Sequence, residues 1–241
     1  MNKPSVLVDG TQLRQRRGTG IASYTRSLVQ CLHFLGASVD LLLGAPSHLR
    51  RADPTYSFPA QVFGHRPSRH RFVEQSSLLL RTWLGLKRTV NAVEVKLEDI
   101  DLSFIDPPLP PFDRVFNADA ALGRASAISI WGSSMLGIVP PRGIAATHWT
   151  GPTPLKTSRG PNLYTIHDLI PIRYPYFVID RPGHSARLHA AIAREADCIL
   201  TISETSKEDI VRILGVSADR VFVTYQPAPK PPLLRMAMLS G

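Results

Sequence analysis

Two segments of this 241-residue chain place residue types at spacings that can do chemistry. The first is Arg16-Arg17-Gly18-Thr19-Gly20-Ile21-Ala22-Ser23-Tyr24, directly ahead of a helical pattern. Backbone N–H groups at a helix N-terminus, unshielded where Gly18 and Gly20 carry no side chain, can hold a phosphate or a sugar hydroxyl. Arg14, Arg16 and Arg17 add positive charge there. A tight helix entry accounts for the same glycines without any ligand. The second segment is Tyr164-Thr165-Ile166-His167-Asp168-Leu169-Ile170-Pro171. Here a histidine and an aspartate leave the C-terminal end of a predicted strand, where open α/β sheets put their ligand sites. His167 can hydrogen-bond a sugar hydroxyl or stabilise a transition state, with Asp168 orienting it. A structural role at the strand end is the competing reading.

A third segment, Thr147-His148-Trp149-Thr150, ends another predicted strand, and its indole can stack on a sugar face or simply pack. Other chemistries fit less well. A dinucleotide site wants its first glycine immediately after the first strand, yet the Gly-x-Gly comes well after Asp9. It also wants an acidic residue at the end of the second strand, whereas Asp40 sits near the beginning. His184 and His189 are five apart on a predicted helix and do not share a face as a zinc pair would. Cys31 and Cys198 have no Cys-x-x-Cys partner, so neither a thiolate metal site nor a disulfide scaffold is expected. Both are expected in the core as small apolar side chains, in keeping with a reducing cytoplasm. No metal and no cofactor are assigned.

The elements that must position these segments alternate between short apolar runs and helical periodicities. Ser5 to Val8 reads as a buried strand ending at Asp9-Gly10, and Thr11 to Thr19 as a loop. Gly20 to about Leu35 reads as a helix with Ile21, Tyr24, Leu28, Cys31, Leu32 and Leu35 on one stripe and Gly36 as its stop. Val39 to Leu43 is the next strand, completing a βαβ unit of the kind that builds a parallel sheet covered on both faces. Pro46 to Arg71 reads as a long basic loop, Phe72 to about Val90 as an amphipathic helix, and Val93 to Leu97 as a strand. Further strands are predicted at Leu163 to Ile166, Cys198 to Ile202 and Arg220 to Tyr225. Helices are predicted at Pro182 to Ala196 and from a Ser203 or Thr205 cap to about Leu214, closed by Gly215. Thr205 and Glu208 have capping-box spacing. The expected fold class is α/β, a Rossmann-like open, mostly parallel sheet with helices on both faces. Residues 1–226 form that domain, and 227–241 a proline-rich linker toward a further domain.

Composition limits the partners. The 28 Lys and Arg outweigh the 19 Asp and Glu, a formal net charge of +9, and such a surface attracts nucleotide phosphates, anionic lipid headgroups or nucleic acid. The basic residues are scattered, with no recognition helix and no aromatic-interleaved basic strand, so nucleic acid is not expected. Peripheral contact with an anionic membrane, through the basic Phe72 to Val90 helix, remains open beside ordinary packing of that helix. No run approaches the roughly 18 apolar residues of a membrane span, and a cytoplasmic location is expected.

Three of these segments together resemble family 4 GT-B glycosyltransferases. Gly18-Thr19-Gly20-Ile21-Ala22-Ser23-Tyr24-Thr25, after a Val-Asp-Gly strand end, is similar to the first loop of that family. Thr165 to Pro171 followed by Arg173-Tyr174-Pro175 is similar to its "TIHDL-P" segment. Ala196-Asp197 to Ser206, Asp209-Ile210, and Arg220-Val221 to Pro227 are similar to its third stretch. The motifs span residues 5 to 227 in the family's order. The resemblance implies the acceptor-side half of a two-domain enzyme moving a sugar, mannose being one candidate, from a nucleotide-sugar to a cell-surface polysaccharide or lipid-linked acceptor. It implies retention of anomeric configuration without a catalytic metal. By the same resemblance Arg17, Gly18, Thr19 and Gly20 approach the donor phosphate, and His167 with Asp168 lies near the transferred sugar. Arg14, Tyr24 and His148 are the acceptor-side candidates. The family's Glu-x7-Glu donor motif is absent, since no glutamate here has another eight positions on. The expectation is therefore a truncated or split enzyme, inactive alone or completed by a second domain in trans. A non-enzymatic remnant or partner-dependent subunit binding an anionic ligand or membrane is the alternative.

Overall fold

A computed structural model describes residues 5–14, 20–44, 89–96, 108–118, 121–131, 134–177 and 182–226. In chain order these form β1 (Ser5–Asp9), α1 (Gly20–Phe34), β2 (Ser38–Leu43), β3 (Thr89–Val95), β4 (Arg114–Ala118), α2 (Ala121–Trp131), β5 (Leu136–Val139) and β6 (Ile144–Trp149). There follow β7 (Leu155–Thr157), β8 (Asn162–Thr165), the single turn α3 (Ile170–Arg173), α4 (Pro182–Glu195), β9 (Cys198–Thr201), α5 (Glu204–Leu214) and β10 (Val221–Val223).

The central strands bury both faces. Along β1, Leu7 enters one apolar layer and Val8 the other. Along β2, Leu42 enters the first layer while Val39, Leu41 and Leu43 enter the second. Period-two alternation between two cores is why these strands read as continuous apolar runs, and it requires helices on both sides. Helix α1 covers the second layer through Val29, Leu28 and Leu32. Helices α2, α4 and α5 cover the first through Ala125, Ile192 and Ile210. The sheet order is β10-β9-β8-β6-β1-β2-β4-β3-β5-β7. The strands from β10 to β4 run parallel, and β3 pairs antiparallel with β4. Residues 92–95 of β3 bond to β4 while residues 89–91 bond to β5, so this strand carries β5 and β7 onto the sheet. The fold is a Rossmann-like, mostly parallel α/β sheet, as the alternating pattern predicts. From β1 the chain builds outward through β2 on one side and through β6, β8, β9 and β10 on the other. The boundary between β1 and β6 is thus a topological switch point, where such sheets open a crevice at their carboxyl ends.

Several local expectations change. The predicted helix through Val90 does not reach that far, because Thr89 and Val90 already belong to β3; its earlier residues, and the loop from Pro46 to Arg71, lie outside the described residues. The strand predicted from Val93 begins four residues sooner. On α1 the buried stripe is Ala22, Tyr24, Thr25 and Val29, and Cys31 is exposed rather than in the core. Thr25 can be buried because its hydroxyl donates to the Ile21 carbonyl (2.8 Å), and Cys31 and Leu35 lie on the exposed side. Cys198 is half-buried. Ser203, not Thr205, caps α5: its Oγ accepts from the Ser206 amide (3.1 Å), so the Thr205/Glu208 pair lies inside the helix and forms no capping box. Gly215 closes that helix at φ 66°, as expected. The final strand is Val221–Val223, with Arg220 in the preceding turn.

Candidate functional site

The crevice is built by three strand ends. At the end of β1, Asp9 Oδ1 accepts from the Thr11 amide (3.0 Å) and hydroxyl (2.7 Å), which turns the chain into a short 3-10 segment, Thr11–Arg14, where the sequence suggested only loop. Across the switch point, Thr150 after β6 donates its hydroxyl to the Asp9 carbonyl (3.3 Å). Gly151 then runs close under α1: a Cβ there would stand 3.3 Å from Ile21 Cδ1. From the end of β8 the chain delivers His167 and Asp168 beside these two. The result is a pocket of about 550 Å³ bordered by Gly20, His167, Asp168, His184, His189 and Gln226, among others.

His167 is half-buried, and its Nε2 lies 3.1 Å from the Thr150 carbonyl oxygen. A carbonyl only accepts, so Nε2 carries the proton and Nδ1 is the lone-pair nitrogen when the ring is neutral. Burial lowers the affinity of this ring for a second proton, opposed by the Thr150 carbonyl and the nearby Asp168 charge. Tyr24 packs edge-on against it, with centroids 4.9 Å apart. Thr150, not Asp168, orients the imidazole: Asp168 is exposed, and its Oδ1 accepts instead from the Ile170 amide (2.9 Å) at the start of α3.

Beneath the pocket lies a buried polar chain. Tyr24 Oη is 2.9 Å from Thr165 Oγ1, which is 2.8 Å from His148 Nε2. Tyr24 donating to Thr165, and Thr165 to His148, satisfies all three groups with a neutral imidazole. Burial, with His167 nearby, pushes the His148 pKa down to about 4, and burial raises that of Tyr24.

Of the predicted site residues, the structure therefore brings Gly20, His167 and Asp168 together at the pocket. Tyr24 and His148 sit under it as the support of His167. Arg17, Gly18 and Thr19 lie outside the described residues; Arg14 ends the 3-10 segment, its side chain undescribed. Trp149 is a core residue whose Nε1 donates to Asn162 Oδ1 (3.0 Å). Several motif residues are architectural. Arg173 of α3 and Arg212 of α5 share the Asp209 carboxylate (2.6 and 2.8 Å), Asp197 accepts from the Asn162 amide (2.7 Å), and Arg220 reaches the carbonyls of Ala193 in the last turn of α4 and of Ala196 just after it. His184, His189 and Gln226 are wall residues that spacing did not reveal: α4 docks so that both its histidines border one wide pocket. Gln226 Nε2 donates to the Gly20 carbonyl (3.5 Å). Among the described residues no three His, Cys, Asp or Glu side chains converge as a metal site would need, and no helix is long and apolar enough to cross a membrane.

Fold and site together define a Rossmann-like domain with a crevice at its switch point. The chain matches no protein-family model and no curated protein sequence. Among solved structures it is similar to the sucrose-phosphate synthase of Thermosynechococcus elongatus, with a TM-score of 0.39 and 12% identity over 98% of this chain and 96% of that one. A superposition that loose bears no weight on function.

Proposed function

We propose that this domain serves glycosyl transfer, forming the acceptor-side wall of a cleft that a donor-binding domain closes. The observation that carries the reading is the meeting of Gly20, His167 and Asp168 in one pocket at the carboxyl ends of a parallel sheet.

In this reading the segment from Arg17 to Gly20 approaches the donor diphosphate, and fixed positive charge stabilises the departing nucleotide, the main catalytic contribution expected of such a site. The neutral His167 ring accepts from a hydroxyl of the transferred sugar through Nδ1, while Thr150 holds the ring still. Tyr24 and His148 act on the sugar only through His167. The reaction retains configuration, the acceptor is a polysaccharide or lipid-linked glycan, the donor sugar is mannose or a relative, and neither metal nor cofactor takes part. The proposed place of work is the cytoplasmic face of a membrane.

Saturation-transfer NMR with UDP-glucose, GDP-mannose and NAD⁺ tests this. Transfer to the sugar-ring protons of a nucleotide-sugar is expected, falling about five-fold in His167→Ala, the equivalent of one lost hydrogen bond. Gly20→Ala is expected to weaken the signal while leaving the circular dichroism spectrum unchanged. Binding of NAD⁺ alone, or a nucleotide-sugar signal left unchanged in both His167→Ala and Gly20→Ala, overturns the proposal.

A further inference from the structure

Helix α4 contributes two imidazoles for which the site described so far has no use. His189 is only 3% exposed. Its Nδ1 lies 2.8 Å from the Ser185 carbonyl oxygen one turn earlier, so Nδ1 carries the proton. Burial keeps the ring from taking a second proton, against the opposing pull of the Ser185 carbonyl and the Asp168 charge. Nε2 is therefore a bare acceptor, and it is buried with no hydrogen-bond partner among the described residues. On the same helix His184 Nδ1 is also buried with no partner among the described residues. Both rings border the pocket that holds His167. Leaving a buried polar atom unsatisfied is costly, and in a native fold such a group calls for an explanation.

The walls restrict what that can be. An anion would face the Asp168 carboxylate and the His189 lone pair, and no lysine or arginine is among the described residues bordering the pocket. A metal ion would find no third ligand among the described residues. A neutral polyhydroxylated ring has what the site lacks: O–H donors for His189 Nε2 and Asp168, and C–H faces for Ile21, Pro152, Leu188 and Ile202.

We infer that the pocket binds the neutral hydroxyl-bearing ring of a saccharide or cyclic polyol against α4, the two histidine rings shifting on binding so that one ring hydroxyl donates to His189 Nε2, which is covered in the free protein, and His184 makes a second polar contact. This rests on the sugar-handling reading above and deepens it, because it seats the ring on a helix that the sequence motifs do not include.

The test is a titration of the whole chain, ¹⁵N-labelled at histidine, followed through two-bond ring ¹H–¹⁵N correlations. The probes are a panel of methyl glycosides, myo-inositol and inorganic phosphate. The free protein should show His189 as the Nδ1–H tautomer. A glycoside or the inositol should then shift its Nε2 resonance saturably, and phosphate should not. His189→Leu should weaken binding about five-fold, the size of one hydrogen bond, and His184→Ala should weaken it less. If His189→Leu does not fold, the wild-type titration decides alone. A sugar that moves the His167 resonances but leaves His189 Nε2 unchanged overturns this inference while sparing the glycosyl-transfer reading. A phosphate-induced shift at His189 overturns it in favour of an anion site. If neither the glycosides nor the inositol move any histidine, this inference falls.

Discussion

Acidification should destabilise this domain through His148. The ring is buried at the end of β6, bonded to Thr165 and close to His167, and its pKa is pushed from the ordinary 6.5 to about 4. The unfolded chain takes up this proton below about pH 6.5, whereas the folded chain resists until about pH 4. Over that window the unfolded state binds more protons, so stability falls as pH falls and levels off below the folded value. The two titration curves give a loss of about 2 kcal/mol by about pH 5 and about 3 kcal/mol by about pH 4. Burial lowers the pKa of His167 and His189 as well, so their contributions have the same sign. Urea unfolding of the wild type and His148→Gln, followed by circular dichroism at about pH 7.5 and pH 5, isolates the effect of His148, because every other group is common to both proteins. The pH-dependent loss should be smaller by about 2 kcal/mol in the variant. An equal loss in the two proteins, or an NMR titration of His148 in the folded protein with its midpoint near the ordinary value, would refute the burial argument.

Two further outcomes follow from single contacts. Asp40 is fully buried and accepts from Ser5 Oγ (2.8 Å) and from Arg114 Nε and Nη2 (3.1 and 2.7 Å), so Arg114→Met should strand a carboxylate and cost about 3 kcal/mol in urea unfolding. Gly215 has φ 66° with no atom near a prospective Cβ, so Gly215→Ala should cost only the backbone strain of about 1 kcal/mol, read as a small drop in thermal midpoint.

Some of this protein was written in local chemistry. The run Ser5 to Val8, the helix start at Gly20, and the Ser203 cap with its Gly215 stop each depend on neighbours a few residues away. Strand ends at His148 and His167 were visible for the same reason, and parallel strands with carboxyl-end ligand sites follow from the βαβ alternation. What the sequence left open depends on which surfaces meet. Thr89–Val95, whose burial is irregular, became a strand only because β4 and β5 supply its hydrogen bonds, and residues that suit a helix stripe can suit a strand too. Cys31 faces outward, while Thr25, its hydroxyl satisfied within the helix, takes the buried side of α1.

The site divides in the same way. The sequence alone determined that Gly20, His167 and Asp168 stand at element ends able to meet a ligand, because each lies next to a strand end or a helix start. Tertiary structure decided that His148 and Tyr24 lie beneath the pocket, since Thr165, far from Tyr24 in sequence, joins them. It also decided that Thr150, and not the adjacent Asp168, holds His167. Most of all, it brought His184 and His189 to the pocket, because the docking of α4 on the sheet sets which flanks of that helix a cavity can reach, and no spacing along the chain encodes that.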